Sequence, residues 1–207
     1  MDFSIPFRPI SLQARSSQIK LAKIEFQKHL PSTNFLFSGD VKLEIEWMIH
    51  ERARYESDAA PDVDNILKPL MDILCGPKGI LIDDNQVQSV TCYWVDWNLS
   101  GEQLNFRICF SPDEFVRKDG LIFVGLGNSL YIPTNTNIPP EPLLLLLKTF
   151  QSQYATRLKL RTLGKDYYEA NPVMSIQRVF HRSRLSQFQT VEIATLIEQT
   201  EQLLRTG

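Results

Sequence analysis

The chain has 207 residues, 43% of them hydrophobic and 22% charged, with a formal net charge of −2 and a pI near 5.9. That length can bury one large core or a domain with an appendage. The acidity excludes a uniformly basic surface of the kind that advertises a nucleic-acid binder.

In chain order, residues 3–10 read as an edge strand, because Pro6 and Pro9 bar a central position. Ser16 or Ser17 then caps a helix running to about residue 30, with Ile19, Ala22, Lys23 and Phe26 at helical spacing. Residues 41–49 alternate Val, Leu, Ile, Trp and Ile on one face against Lys42, Glu44 and Glu46 on the other, which predicts a strand. Apolar residues at 66, 67, 70, 73 and 74 mark one face of a helix. Asp64 serves as its expected N-cap, and Pro69 is tolerable only near the first turn. Gly76-Pro77-Lys78-Gly79 breaks that helix, residues 80–82 are apolar, and Asp83-Asp84-Asn85 has turn chemistry. Residues 86–95 and 103–110 alternate again and read as strands. The order predicts an α/β (α+β) core over residues 1–120: a mixed sheet of about four strands with helices packed on it.

Beyond residue 113 the character changes. Residues 121–132 read as a strand or hairpin, 133–142 as a linker rich in Pro, Asn and Thr, and 141–160 and 187–204 as helices. A mainly helical C-terminal extension over 121–207 is therefore expected. Residues 148–184 hold eight Lys or Arg (148, 157, 159, 161, 165, 178, 182, 184) against two acids (166, 169). Residues 1–120 hold thirteen Lys or Arg against eighteen acids. Aromatic residues Tyr154, Tyr167, Tyr168 and Phe180 interleave with the basic stretch, a composition suited to gripping phosphates, with Arg178, Arg182 and Arg184 as candidates. The ordinary reading of such a run is a solvated face.

No apolar run approaches a bilayer span, the leucines at 143–147 numbering five, and the N-terminus lacks a basic-then-apolar signal pattern. A soluble, cytoplasmic protein is expected. Cys75, Cys92 and Cys109 have no C-x-x-C spacing and are expected as buried reduced thiols, with no zinc site.

Chemistry concentrates in residues 62–84. In extended chain, Asp62 and Asp64 would point to one side about 7 Å apart, close enough to share a hydrated hard cation. Asp64, Lys68 and Asp72 follow at intervals of four, which aligns them along one helix face. If the helix packs on the strand beginning at residue 86, the acidic turn returns to the first two carboxylates. Three carboxylates are what a magnesium-dependent phosphodiester cleavage site needs. Taken singly, an Asp-x-Asp is a helix cap, an Asp-Asp-Asn a turn, and Lys68 with Asp72 a solvated pair. Their joint occurrence carries the functional reading.

The series Asp62-Val63-Asp64-Asn65-Ile66-Leu67-Lys68, then Asp72, then Ile82-Asp83-Asp84-Asn85-Gln86-Val87 resembles the core motif of the RusA-type Holliday junction resolvases. Residues 9–14 are similar to the segment after that family's first strand, and the resemblance covers about residues 1–112. It implies a Mg²⁺-dependent, structure-selective DNA endonuclease, usually a homodimer, that cuts four-way junctions in recombination and repair and leaves a 5′-phosphate and a 3′-hydroxyl. It also implies that Asp62, Asp64 and Asp84 are the metal-holding, catalytic carboxylates and that Lys68 is the functional lysine. Asp83 is then a neighbour, and Asp72 orients Lys68 or the helix. The alternative is a non-catalytic DNA-binding or assembly protein that keeps the fold and uses the acids as caps and turns.

Overall fold

The computed structural model describes residues 1–58, 60–174 and 178–206. The chain divides into two compact units, Met1–Phe115 and Val116–Gly207.

The first unit is built from β1 (Asp2–Ile5), α1 (Ser16–His29), β2 (Phe35–Phe37), β3 (Val41–Ile49), α2 (Glu51–Tyr55), α3 (Val63–Leu74), β4 (Val87–Asp96) and β5 (Gln103–Phe110). Four strands form one mixed sheet in the order β1-β5-β3-β4. β3 lies parallel to β4 and antiparallel to β5, and β1 is antiparallel to β5 at the edge. The first strand ends at Ile5 rather than at residue 10, because Pro6 follows and cannot donate to a ladder. β3 shows the alternation its sequence predicts: Val41, Leu43, Ile45, Trp47 and Ile49 are all buried. They meet Ile66, Leu70, Ile73 and Leu74 from α3, Phe26 from α1, and Leu104, Phe106 and Ile108 from β5 in one core.

Two local expectations for this unit need correction. The first turn of α1 is not closed by a serine. Arg15 stands at the N-cap, and the Gln18 side chain accepts its backbone N–H at 3.1 Å. Cys109 is exposed rather than buried, while Cys75 and Cys92 are partly buried, and all three are free thiols. Cys109 lies on β5, where the side chains facing away from the core are open to solvent.

In the second unit, β7 (Leu121–Gly127) and β8 (Leu130–Asn135) form a hairpin through Asn128 and Ser129, both at positive φ. A short β6 (Phe115–Arg117) crosses the boundary between the units. Then come α4 (Pro140–Thr162), α5 (Tyr167–Ala170), β9 (Phe180–His181), β10 (Thr190–Glu192) and α6 (Ile193–Thr206). The sheet order is β10-β7-β8-β9. Helix α4 is as the sequence suggests, but the linker expected at 133–142 is strand and helix start. Pro133 sits in β8 opposite Phe123, beyond the two residues that β9 pairs, so its missing N–H faces no partner strand there. The helix expected from residue 187 begins at Ile193 instead. The Thr190–Glu192 segment before it pairs in parallel with β7.

Candidate active site

The site begins at α3. Asp62, in extended conformation, occupies the N-cap position, and Asp64 lies in the first helical turn. The chain therefore turns helical at Val63, and the two carboxylates are not presented by a continuous extended strand as the spacing suggested. Pro69 lies inside the second turn, deeper than expected. Lacking an N–H, it leaves the carbonyl of Asn65 without its i+4 donor. Leu12 supplies one: its backbone N–H donates to the Asn65 carbonyl at 2.7 Å. This fastens the 9–14 segment to the helix that carries the acids.

The return loop is equally specific. α3 ends at Leu74 with Cys75 as its C-cap, and Gly76 takes φ 97°, a left-handed conformation that suits glycine at this position. The N–H groups of Ile80 and Leu81 both donate to the Leu74 carbonyl, at 2.8 and 3.0 Å. A Cβ on Gly79 would sit 2.1 Å from that carbonyl oxygen, so only glycine fits the close approach. The loop thus folds back on the helix end and delivers Asp83 and Asp84 beside α3.

Gln86 fixes them there. Its side chain is fully buried, and its Oε1 accepts from the backbone N–H groups of Ile82 (2.8 Å) and Asp83 (3.0 Å). Its Nε2 donates to the carbonyls of Phe37 and Gly39, both at 2.8 Å. Together the four bonds tie the acidic segment to the chain between β2 and β3. Residues Asp84–Gln86 form a single 3-10 turn capped by Asp83, whose carboxylate accepts from the Asn85 N–H at 3.1 Å. The sequence places Gln86 in the motif without assigning it a role. Its only signal there is its place after the two aspartates, at the head of an alternating strand.

Lys68 meets both flanking acids. Its Nζ lies 2.5 Å from Asp84 Oδ2 and 2.7 Å from Asp72 Oδ1. Burial works against the ammonium, but the hydrogen bonds to Asp72 and Asp84 outweigh it and hold the lysine above its ordinary range. Nearby, burial raises the Cys75 thiol strongly, and the charges of Asp84, Asp83 and Asp72 add to it while Lys68 opposes. That thiol stays protonated and is no nucleophile.

Asp62 and Asp64 are exposed, and Asp62 lines a cleft of about 440 Å³ with Arg8, Ser11, Gln13, Asp58 and Asn65. The structure thus joins Lys68, Asp72 and Asp84 directly and leaves Asp62 and Asp64 at the open start of α3. Carboxylates suit a hard divalent cation in kind, and the Lys68 ammonium already neutralises Asp84 as a cation would. Among the described residues, however, no three His, Cys, Asp or Glu side chains are gathered tightly enough to form a ready metal cage.

Residues 13–105 match the family model described as Endodeoxyribonuclease RusA. Residues 13–105 are thus a RusA-type endodeoxyribonuclease domain. The match spans α1, α3, the acidic turn and β4, so every site element described above from α3 onward lies inside the RusA domain. A comparison with curated proteins finds no match. Among the described residues, no helix is long and apolar enough to cross a membrane.

Proposed function

We propose that the protein is a Mg²⁺-dependent endonuclease that resolves four-way DNA junctions, acting as a homodimer in the cytoplasm. The observation that carries this reading is the return of Asp84 to Lys68, sixteen residues earlier, inside a RusA-family domain. Asp62, Asp64 and Asp84 would hold the metal, which when bound polarises the scissile phosphate and lowers the pKa of an attacking water. Lys68 supplies permanent positive charge beside Asp84. Its side chain is 47% exposed, so a phosphate can approach it as charge develops on the phosphorane oxygens. Asp72, half exposed, keeps the ammonium pointed at Asp84.

Arg178, Arg182 and Arg184 of the second unit are proposed to grip DNA away from the cut. The local excess of basic residues supports this. Arg182 also donates to the Tyr131 hydroxyl at 2.6 Å, and Arg178 lies over the Phe180 ring, so both have packing roles as well. Residues 175–177 of this stretch lie outside the described residues.

The second reading, a non-catalytic junction-binding or assembly protein, draws on the tight Asp72-Lys68-Asp84 bridge, which also serves as a structural staple. Nicking of a synthetic four-way junction with and without Mg²⁺, beside a linear duplex of the same sequence, separates the two. Metal-dependent cuts confined to the junction support the resolvase. Binding without any cut supports the second reading.

A further inference from the structure

Arg8 stands where two hollows meet. One is the cleft of about 440 Å³ that Asp62 lines, and the other, about 550 Å³, is lined by His50, Arg52, Ser57 and Glu102; Arg8 and Ala60 border both. Each volume is within the range of pockets that take nucleotide-sized ligands, about 300–1,000 Å³.

The guanidinium is anchored from below. Arg8 Nε lies 3.3 Å from Glu102 Oε1, and the other oxygen of Glu102 accepts from the indole N–H of Trp47 at 2.8 Å. Trp47 is wholly buried in the sheet core, and the Glu102 side chain is only 15% exposed, whereas that of Arg8 is 61% exposed. A rigid indole therefore holds a shielded carboxylate, and the carboxylate holds one edge of a solvent-facing arginine. Burial raises the Glu102 pKa, against the lowering pull of the Trp47 hydrogen bond and the Arg8 charge.

Asp58 and Asp62 line the same cleft and would repel a phosphate from it. A cation at its rim is what lets a strand enter. Arginine suits that task better than lysine, since its planar fork can make two parallel hydrogen bonds to phosphate oxygens.

We propose that Arg8, positioned by Glu102 and Trp47, grips a backbone phosphate of the strand being cut and leads it into the cleft beside Asp62. Glu102 acts here as a positioning residue. The inference rests on the nuclease reading for the identity of the strand, but the phosphate grip itself is measured by binding alone.

The test measures junction affinity over a salt series without Mg²⁺ for Arg8→Ala, Arg8→Lys and Glu102→Gln, followed by steady-state cleavage. Arg8→Ala should weaken binding about tenfold, the scale of one charge-assisted hydrogen bond. It should also flatten the slope of log binding constant against log salt by about 0.9. Arg8→Lys should restore the slope but only part of the affinity. Glu102→Gln keeps an acceptor for Trp47, so it should fold normally, weaken binding less than Arg8→Ala, and raise KM with little change in kcat. Wild-type slope and affinity in a folded Arg8→Ala protein would overturn the proposal. So would equal affinity losses in Arg8→Ala and Arg8→Lys at an unchanged slope, which would make Arg8 a fold element. If the wild type binds but never cuts, while Arg8→Ala still flattens the slope, the nuclease reading fails and the phosphate grip stands. If Asp64→Asn abolishes cutting and Arg8→Ala changes nothing, the reverse holds.

Discussion

Replacing Gln86 with Leu should destabilise the first unit more than its single position in a turn suggests. The leucine fits the volume but makes none of the four hydrogen bonds. The Ile82 N–H and the Phe37 and Gly39 carbonyls would be left buried without the side chain that satisfies them. At about 1–3 kcal/mol for each buried group left unpaired, and allowing for some relaxation, the loss should be about 3–6 kcal/mol. A single domain has only about 5–15 kcal/mol of stability in total. Gln86→Glu keeps the acceptor but turns a carboxylate toward two carbonyls. A buried carboxyl of this kind has its pKa raised by folding, so its loss should be smallest below about pH 4 and largest at neutral pH. Trp47, Trp94 and Trp97 all lie in the first unit, so tryptophan fluorescence during urea unfolding reports that unit separately. The folded fraction of Gln86→Leu should also lose the Lys68–Asp84 pairing and with it most activity. A stability loss under about 1 kcal/mol with activity kept would refute the idea that Gln86 sets the acidic turn.

Four further outcomes follow from the site. Asp64→Asn should abolish cleavage without weakening junction binding, and Asp84→Asn should match it while Asp83→Asn costs much less; folded variants assayed on one labelled junction would show a reversed order if Asp83 were the ligand. Lys68→Ala should lower turnover by roughly 10² without weakening Mg²⁺ binding. Because folding raises the lysine from its ordinary 10.5, its charge-pair stability is complete below that pH and is lost only above it, so a pH–rate profile should show no Lys68 limb below about pH 10. Alkylation of the native protein near neutral pH, read by mass spectrometry, should label Cys109 and spare Cys75 and Cys92, the latter thiol being pushed up to about 11 by burial; labelling of Cys75 first would contradict its protonated state. The triple change of Arg178, Arg182 and Arg184 to Ala should flatten the salt dependence of junction binding by about 0.9 for every phosphate that is no longer neutralised, and an unchanged slope and affinity would assign that face elsewhere.

Periodicity along the chain was enough to set the elements that bury one face. β3, β5 and the body of α3 lie where alternation and 3.6-residue spacing put them, because each must cover one side and the pattern records which. The motif of acids and lysine was legible for the same local reason, since Lys68 and Asp72 are neighbours on any helix. The contacts between segments far apart in the chain arise only on folding. Leu12 reaches the carbonyl that Pro69 orphaned, and the glycine loop carries Asp84 back to Lys68. Gln86 satisfies four backbone groups from two segments, and Trp47 holds Glu102 beside Arg8. None of these leaves a period in the sequence. Each depends on one backbone group or one buried side chain meeting a partner that the sheet brings close. Pro133 and Thr190 depart from their expected states for a related reason: whether a proline is tolerated, or a short β-branched run becomes a strand, depends on which edge of a sheet lies beside it.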